Sequence, residues 1–160
     1  MRFQLFPFQQ TGLSEDESLL VFHFFATEIA KDFYLPDLSG LHATVAAVEA
    51  MIFEREPAIL ADLGRMNIPL LWVLTEPLLC LFSRNFPIFA VCRLWDFLMA
   101  EGASGLRALA AAIVVLGRSE FSVDSDDPML QLLKFQKKIQ TIAVAGGDAI
   151  VHKAESFLEK

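Results

Sequence analysis

The stretch RLWDFLMAEG, Arg93 to Gly102, decides how the rest of this chain reads. It sets a Trp–Asp pair inside an apolar run and stops at an acid followed by a glycine. Joined to the preceding PIFAVC, it follows helical spacing. Ile88, Val91, Cys92, Trp95, Leu98 and Met99 fall on one face by the i, i+3, i+4, i+7 rule, while Phe89, Leu94 and Phe97 add apolar surface elsewhere. Arg93, Asp96, Ala100 and Glu101 share one narrow edge. Pro87 suits a first-turn position and Gly102 a helix stop. A helix apolar nearly all round lies at the centre of a fold, so Trp95 reads as a core residue. Asp96 reads as an edge acid paired with Arg93, its i, i+3 neighbour. No second acid, histidine or metal ligand is close enough in sequence to make it a catalyst.

Working outward, the flanking segments are also helical. Ser14 and Glu17 form a capping box that opens SEDESLLVFHFFATEIAKDFY, with Leu20, Phe24, Ile29 and Phe33 as its stripe and Pro36 as its end. Asp37 or Ser39 caps a second helix, GLHATVAAVEAMIFERE, with Leu41, Val45, Val48 and Ile52 on one face. Pro57 opens a third, PAILADLGRM. IPLLWVLTEPLLCLFSRN is a fourth, kinked or restarted at Pro77. After Gly102, SGLRALAAAIVVLG runs to Gly117. EFSVDSDD is a polar linker, Pro128 opens PMLQLLKFQKKIQTI, and Asp148 opens DAIVHKAESFLEK. There is no repeat and no run of alternating strand character. The expectation is all-α: about eight helices in an irregular array over residues 14–160, after an irregular segment over 1–13.

Composition bounds the function. A chain of 160 residues buries roughly 70% of its unfolded surface. With 54% hydrophobic and 21% charged residues it is globular in composition. Its mean hydropathy of +0.46 implies a large core, or an apolar face left for a partner or a missing piece of chain. A net charge of −7 argues against nucleic acid and against an anionic membrane surface, and favours a basic protein patch as partner. The two cysteines, Cys80 and Cys92, make no metal or redox motif and read as buried thiols in a reducing setting. His23, His42 and His152 lack ligand spacing, so no metal site is expected. Neither SGLRA nor AGGDA has a phosphate-loop pattern. KFQKK, short and in an acidic chain, reads as a solvated helix face. No signal peptide and no segment of about 20 apolar residues is present.

The late helices resemble a known family. LFSRNFP, RLWD and AEG stand in the order and spacing of the C-terminal half of the TBC domain, the catalytic domain of GTPase-activating proteins for Rab GTPases. The motif positions are Phe82, Pro87, Arg93, Trp95, Asp96, Glu101 and Gly102, read as structural. EPAILADLGRMNIP and the two helices before it are similar to the preceding segments of that domain, and LRALAAAIVVLG to the next. The similarity covers residues 14–118, and the last two helices loosely. Pro77 departs from the family's usual Trp.

The resemblance implies part of a Rab GTPase activator in vesicle trafficking, not itself a hydrolase. It implies no cofactor, a Rab-family small GTPase as partner, and a cytoplasmic location peripheral to endomembranes through that partner. Such domains supply an Arg finger from an I-x-x-D-x-x-R motif and a Gln finger from a Y-x-Q-G motif. The Arg neutralises charge on the transferring phosphoryl group and the Gln orients the attacking water. Both belong to the N-terminal half of the family domain, so this chain alone is expected to be inactive. The alternative is a catalytically inactive TBC-like binding module; an unrelated helical scaffold ranks third. A Y-x-Q-G and an I-x-x-D-x-x-R encoded upstream of Met1 separate the first reading from the second.

Two stretches mimic the fingers. ILADLGR places Ile59, Asp62 and Arg65 at the Arg-finger spacing, but the chain's one tyrosine, Tyr34, lies upstream. Arg65 is read instead as a solvated arginine favoured by the helix C-terminus. Phe8, Gln10 and Gly12 of FQQTG weakly match Y-x-Q-G, and the irregular N-terminal reading is preferred for Gln10.

Overall fold

The computed structural model describes residues 12–84, 86–120 and 127–159. Within them lie seven α-helices and no strand: α1 (Glu15–Phe24), α2 (Ser39–Arg55), α3 (Pro57–Arg65), α4 (Leu70–Leu79), α5 (Ile88–Gly117), α6 (Pro128–Val144) and α7 (Asp148–Leu158). The array is all-α and irregular, as the sequence implies. Gly102 has φ 60° and ψ −141°, which divides α5 into two arms and accounts for the eighth expected segment. Only glycine holds that backbone without strain.

α5 is the axis of the molecule. Its second arm buries Leu106 and every residue from Ala108 to Val114. α7 makes the most extensive helix contact with α5, lying beside its first arm, and buries Ile150, Val151, Ala154 and Phe157. α6 lays Phe135 and Ile139 against the end of α5, where Gly117 leaves room for the Phe135 ring. α2 buries Leu41, Val45, Val48 and Ile52, the stripe expected of it. Taken as one element, Ile88–Glu120 is long and apolar enough to cross a membrane, which neither arm achieves when read separately. It is bent at Gly102, and 56% of its most apolar window is buried in the fold, as in a core helix.

Three expectations are corrected. The first helix does not run to Tyr34. The capping box forms, with Ser14 Oγ accepting from Glu17 N–H at 3.3 Å, but the α-helix ends at Phe24 and a π-helical turn follows over Phe25–Ile29. Thr27 Oγ1 donates to the His23 carbonyl, and Ala30 N–H reaches the Phe25 carbonyl at 2.7 Å. The wider turn brings Phe25 and Ile29 to the same inward side, and the turn that follows it buries Phe33 as well. Leu20 and Phe24 are left outside, Leu20 at 71% exposure.

The fourth helix runs through Pro77 without restarting there and stops at Leu79, because Leu81 and Phe82 both turn left-handed, at φ 46° and 65°. Finally, the buried face of α5 is rotated from the one expected. Ala90, Val91, Leu94, Trp95, Phe97 and Leu98 face in, while Ile88, Phe89 and Met99 face out and Cys92 is half-buried.

Candidate functional site

The motif residues separate into a buried knot and an exposed edge. The knot forms where α4 turns into α5. The left-handed pair Leu81–Phe82 points the Leu81 carbonyl at the indole of Trp95, whose Nε1 donates to it at 2.8 Å. Trp95 is 6% exposed and its ring lies 5.4 Å from that of Phe25. Phe82 stacks on Phe86 at 6.2 Å, and Pro87 then starts α5. Strained non-glycine backbone at two successive positions persists only where the surroundings fix it. Here the indole hydrogen bond and the aromatic packing do so. Beside Pro77, the departure from the family pattern, Phe82, Phe86, Ile113, Phe135 and Ile139 close round a cavity of about 20 Å³, room for a single water.

The edge carries Arg93, Asp96 and Glu101. Arg93 does not pair with Asp96. Its Nε donates to Asp148 Oδ1 at 2.7 Å, tying α5 to the first turn of α7. A carboxylate there also suits the positive end of the helix. Asp96 is exposed and has no hydrogen bond or ion pair among the described residues. With Phe97, Ala100, Glu101 and Glu155 it lines an open groove of about 520 Å³ between α5 and α7. The groove presents carboxylates to water, with no hydroxyl, thiol or imidazole side chain in its lining. Burial, before any nearby charge, pushes the thiols of Cys80 and Cys92 up, so neither is poised as a thiolate. Among the described residues no group of three His, Cys, Asp or Glu side chains is placed to hold a metal ion.

The finger-like stretch lies on α3. Ile59 is fully buried. Arg65, 61% exposed, donates through Nη2 to Asp62 Oδ1, and Asp62 Oδ2 accepts from Arg118 at 3.3 Å. Arg118 also approaches Glu56 at 3.9 Å, and Glu56 accepts from Lys153 of α7 at 3.1 Å. Apart from the i, i+3 pair Asp62–Arg65, this network has no local pattern and joins residues up to 97 positions apart, so sequence reasoning missed it. None of its members is a glutamine. Tyr34, upstream of Arg65, donates to the Leu79 carbonyl at 3.1 Å. Gln10 lies outside the described residues.

The Rab-GTPase-TBC domain family model matches residues 1–121, which include α1 to α5 and leave α6 and α7 beyond the match. The chain is 28% identical over 104 residues to GTPase-activating protein GYP5 of Eremothecium gossypii, covering 65% of this chain and 12% of that protein. It is 33% identical over 78 residues to Carabin of Mus musculus, 46% of this chain and 18% of that one. Growth hormone-regulated TBC protein 1 of Homo sapiens is 27% identical over 103 residues, 63% of this chain and 30% of that one. The chain therefore spans less than a third of the length of these three relatives. No solved structure matches it.

Proposed function

This chain belongs to the Rab-GTPase-TBC domain family, and from that premise we propose that it is the finger-less C-terminal part of a GTPase activator for Rab-family small GTPases. On this reading residues 14–160 form one helical subdomain. Phe82, Pro87, Trp95 and Gly102 hold its scaffold, and Arg93, Asp96 and Glu101 lie on its surface. It acts in vesicle trafficking in the cytoplasm and reaches endomembranes through its GTPase.

Activation of GTP hydrolysis requires an arginine aimed at the phosphoryl oxygens and a glutamine aimed at water. One observation carries the proposal. Arg65, the arginine at finger spacing, is bound to Asp62 within a network that contains no glutamine. The fingers then come from residues outside this chain. What the chain supplies is rigidity: the Leu81–Trp95 knot and the buried arm of α5 hold the exposed edge at a fixed angle to the rest of the domain.

The test is single-turnover GTP hydrolysis by a panel of Rab proteins with the chain added. The expected result is binding to a GTP-loaded Rab without acceleration, where an arginine finger is worth roughly 10³–10⁵ in rate. Acceleration abolished by Arg65→Ala would make ILADLGR the finger and overturn the proposal. Acceleration that survives Arg65→Ala would also overturn it, by placing a catalytic group elsewhere in these residues, with Gln10 the first to substitute. Binding to no member of the panel would remove the Rab partner.

A further inference from the structure

α6 lies outside the family match, and its outer face is unlike the rest of the molecule. Its inner stripe, Gln131, Phe135, Ile139 and Ala143, is spent on the core. On the outside, Met129 is 64% exposed, Leu133 56%, and Leu130 is exposed as well. One turn further on, Lys134 and Lys137 project from the same face, and Lys138 borders it. Half of the chain's six lysines sit in this helix, which holds no acidic residue in a chain of net charge −7. The lysines, with Ser119 and Thr141, line an open groove of about 500 Å³. Among the described residues the nearby acids are Glu120, 3.6 Å from Lys138, Glu76, which accepts from Gln136 Nε2 at 3.0 Å, and Asp127, which caps the helix through the Met129 and Leu130 N–H groups; Asp124 and Asp126, just before the helix in sequence, lie outside the described residues.

We propose that this outer face of α6 docks on an anionic lipid bilayer surface. Projecting Met and Leu beside a lysine cluster is the composition of a helix lying in a membrane interface. Lysine is depleted from the contact regions of protein partners, whereas a lysine cluster gains about 1 kcal/mol per residue at an anionic leaflet. The chain's net negative charge does not forbid this, since charges beyond the Debye length of about 8 Å are largely screened at physiological salt. This contact needs no GTPase and goes beyond the reading above.

The chain is sedimented with vesicles of phosphatidylcholine alone and of equimolar phosphatidylcholine and phosphatidylserine, with no GTPase present. The expected result is partitioning onto the phosphatidylserine vesicles only, reversed by high salt. Lys134→Gln with Lys137→Gln should weaken it about 25-fold, at roughly fivefold per lysine. Leu133→Ser should weaken it without changing the helical circular dichroism or Tm. Lys31→Gln, which removes one charge from an exposed turn before α2, should leave it within about twofold, against roughly fivefold for either α6 lysine alone. Three results would overturn the proposal: partitioning onto neither vesicle, equal partitioning onto both, or a Lys31→Gln loss as large as that of either α6 lysine alone. The first is the outcome expected if the face meets an acidic protein instead.

Discussion

Replacing Trp95 tests the architecture at its tightest point. The side chain fills a buried site beside Phe25, and its Nε1 is the donor to the Leu81 carbonyl in a left-handed turn. Trp95→Ala empties that site and removes the donor together, for which the usual loss is about 3–5 kcal/mol. In a domain of this size each kcal/mol lowers Tm by about 2–4 °C, so the fall should be about 6–20 °C. Trp95→Phe separates the two contributions. It keeps most of the ring volume but leaves the buried Leu81 carbonyl without this donor, costing about 1–3 kcal/mol. Urea unfolding of the three proteins, followed by circular dichroism, reads both differences. A loss under about 1 kcal/mol for Trp95→Ala would refute the core role. A loss for Trp95→Phe as large as for Trp95→Ala would show that the hydrogen bond, and not the packing, holds the knot.

Other substitutions probe single features. Gly117→Ala puts a Cβ into the Phe135 ring and against Ile139, so it should cost about 1–3 kcal/mol by overpacking; Phe135→Leu in the same chain should recover part of the loss in thermal melts. Gly102→Ala meets no neighbouring atom, so its whole effect is backbone strain of about 1–3 kcal/mol, read by the same melts. Asp96→Asn should change stability by no more than about 0.5 kcal/mol, because the carboxylate is exposed and unpaired among the described residues; a loss above about 1 kcal/mol would mean that it has a partner. Hydrogen bonds from the Ser14 backbone and hydroxyl hold the Glu17 carboxyl below its ordinary value of 4.5. A depressed folded value stabilises above the unfolded one and is lost as pH falls through it. The start of α1 should therefore fray in acid below that ordinary value, and Glu17→Gln should remove this pH dependence of amide hydrogen exchange.

Legibility in the sequence followed the periodicity of each segment. α2 was readable because Leu41, Val45, Val48 and Ile52 recur at helical spacing over four turns, whereas Met51 and Phe53, the other large apolar residues, occur only in its last two turns. α5 was placed and bounded, but with apolar residues on most of its circumference no single face stood out. Its stripe was therefore set by what packs on it. α1 was misread because a π-helical turn changes the phase between Phe24 and Ile29, and no local residue pattern announces that change. The edge around Arg93 shows the limit of spacing rules. They offer Asp96, three residues away, and the fold chooses Asp148, fifty-five away, because α7 lies across α5. Arg65 was legible as a helix-end arginine three residues from Asp62, whereas the arrival of Arg118 at the same Asp62 depends on the end of α5 meeting α3. On α6, the sequence showed the lysines, but only the packing of Phe135 and Ile139 shows that Met129 and Leu133 share their side.

The position of α7 also has a kinetic consequence. It lies along the first arm of α5, with Gly147 against Ala90 and Arg93, and is stitched on by Arg93–Asp148, Glu56–Lys153 and the Arg55 guanidinium, which donates to the carbonyls of Ser156 and Glu159. These are contacts of very long sequence separation, the kind that folding makes slowly. During synthesis α5 is complete roughly thirty residues before α7 begins. At about 5–20 residues per second the first arm of α5 waits some seconds for this cover. A nascent chain stalled between Gly117 and Asp148 would keep the helices before α5 packed on it but leave the α7 side of its first arm open to water, an interval of exposed apolar surface and so of aggregation risk.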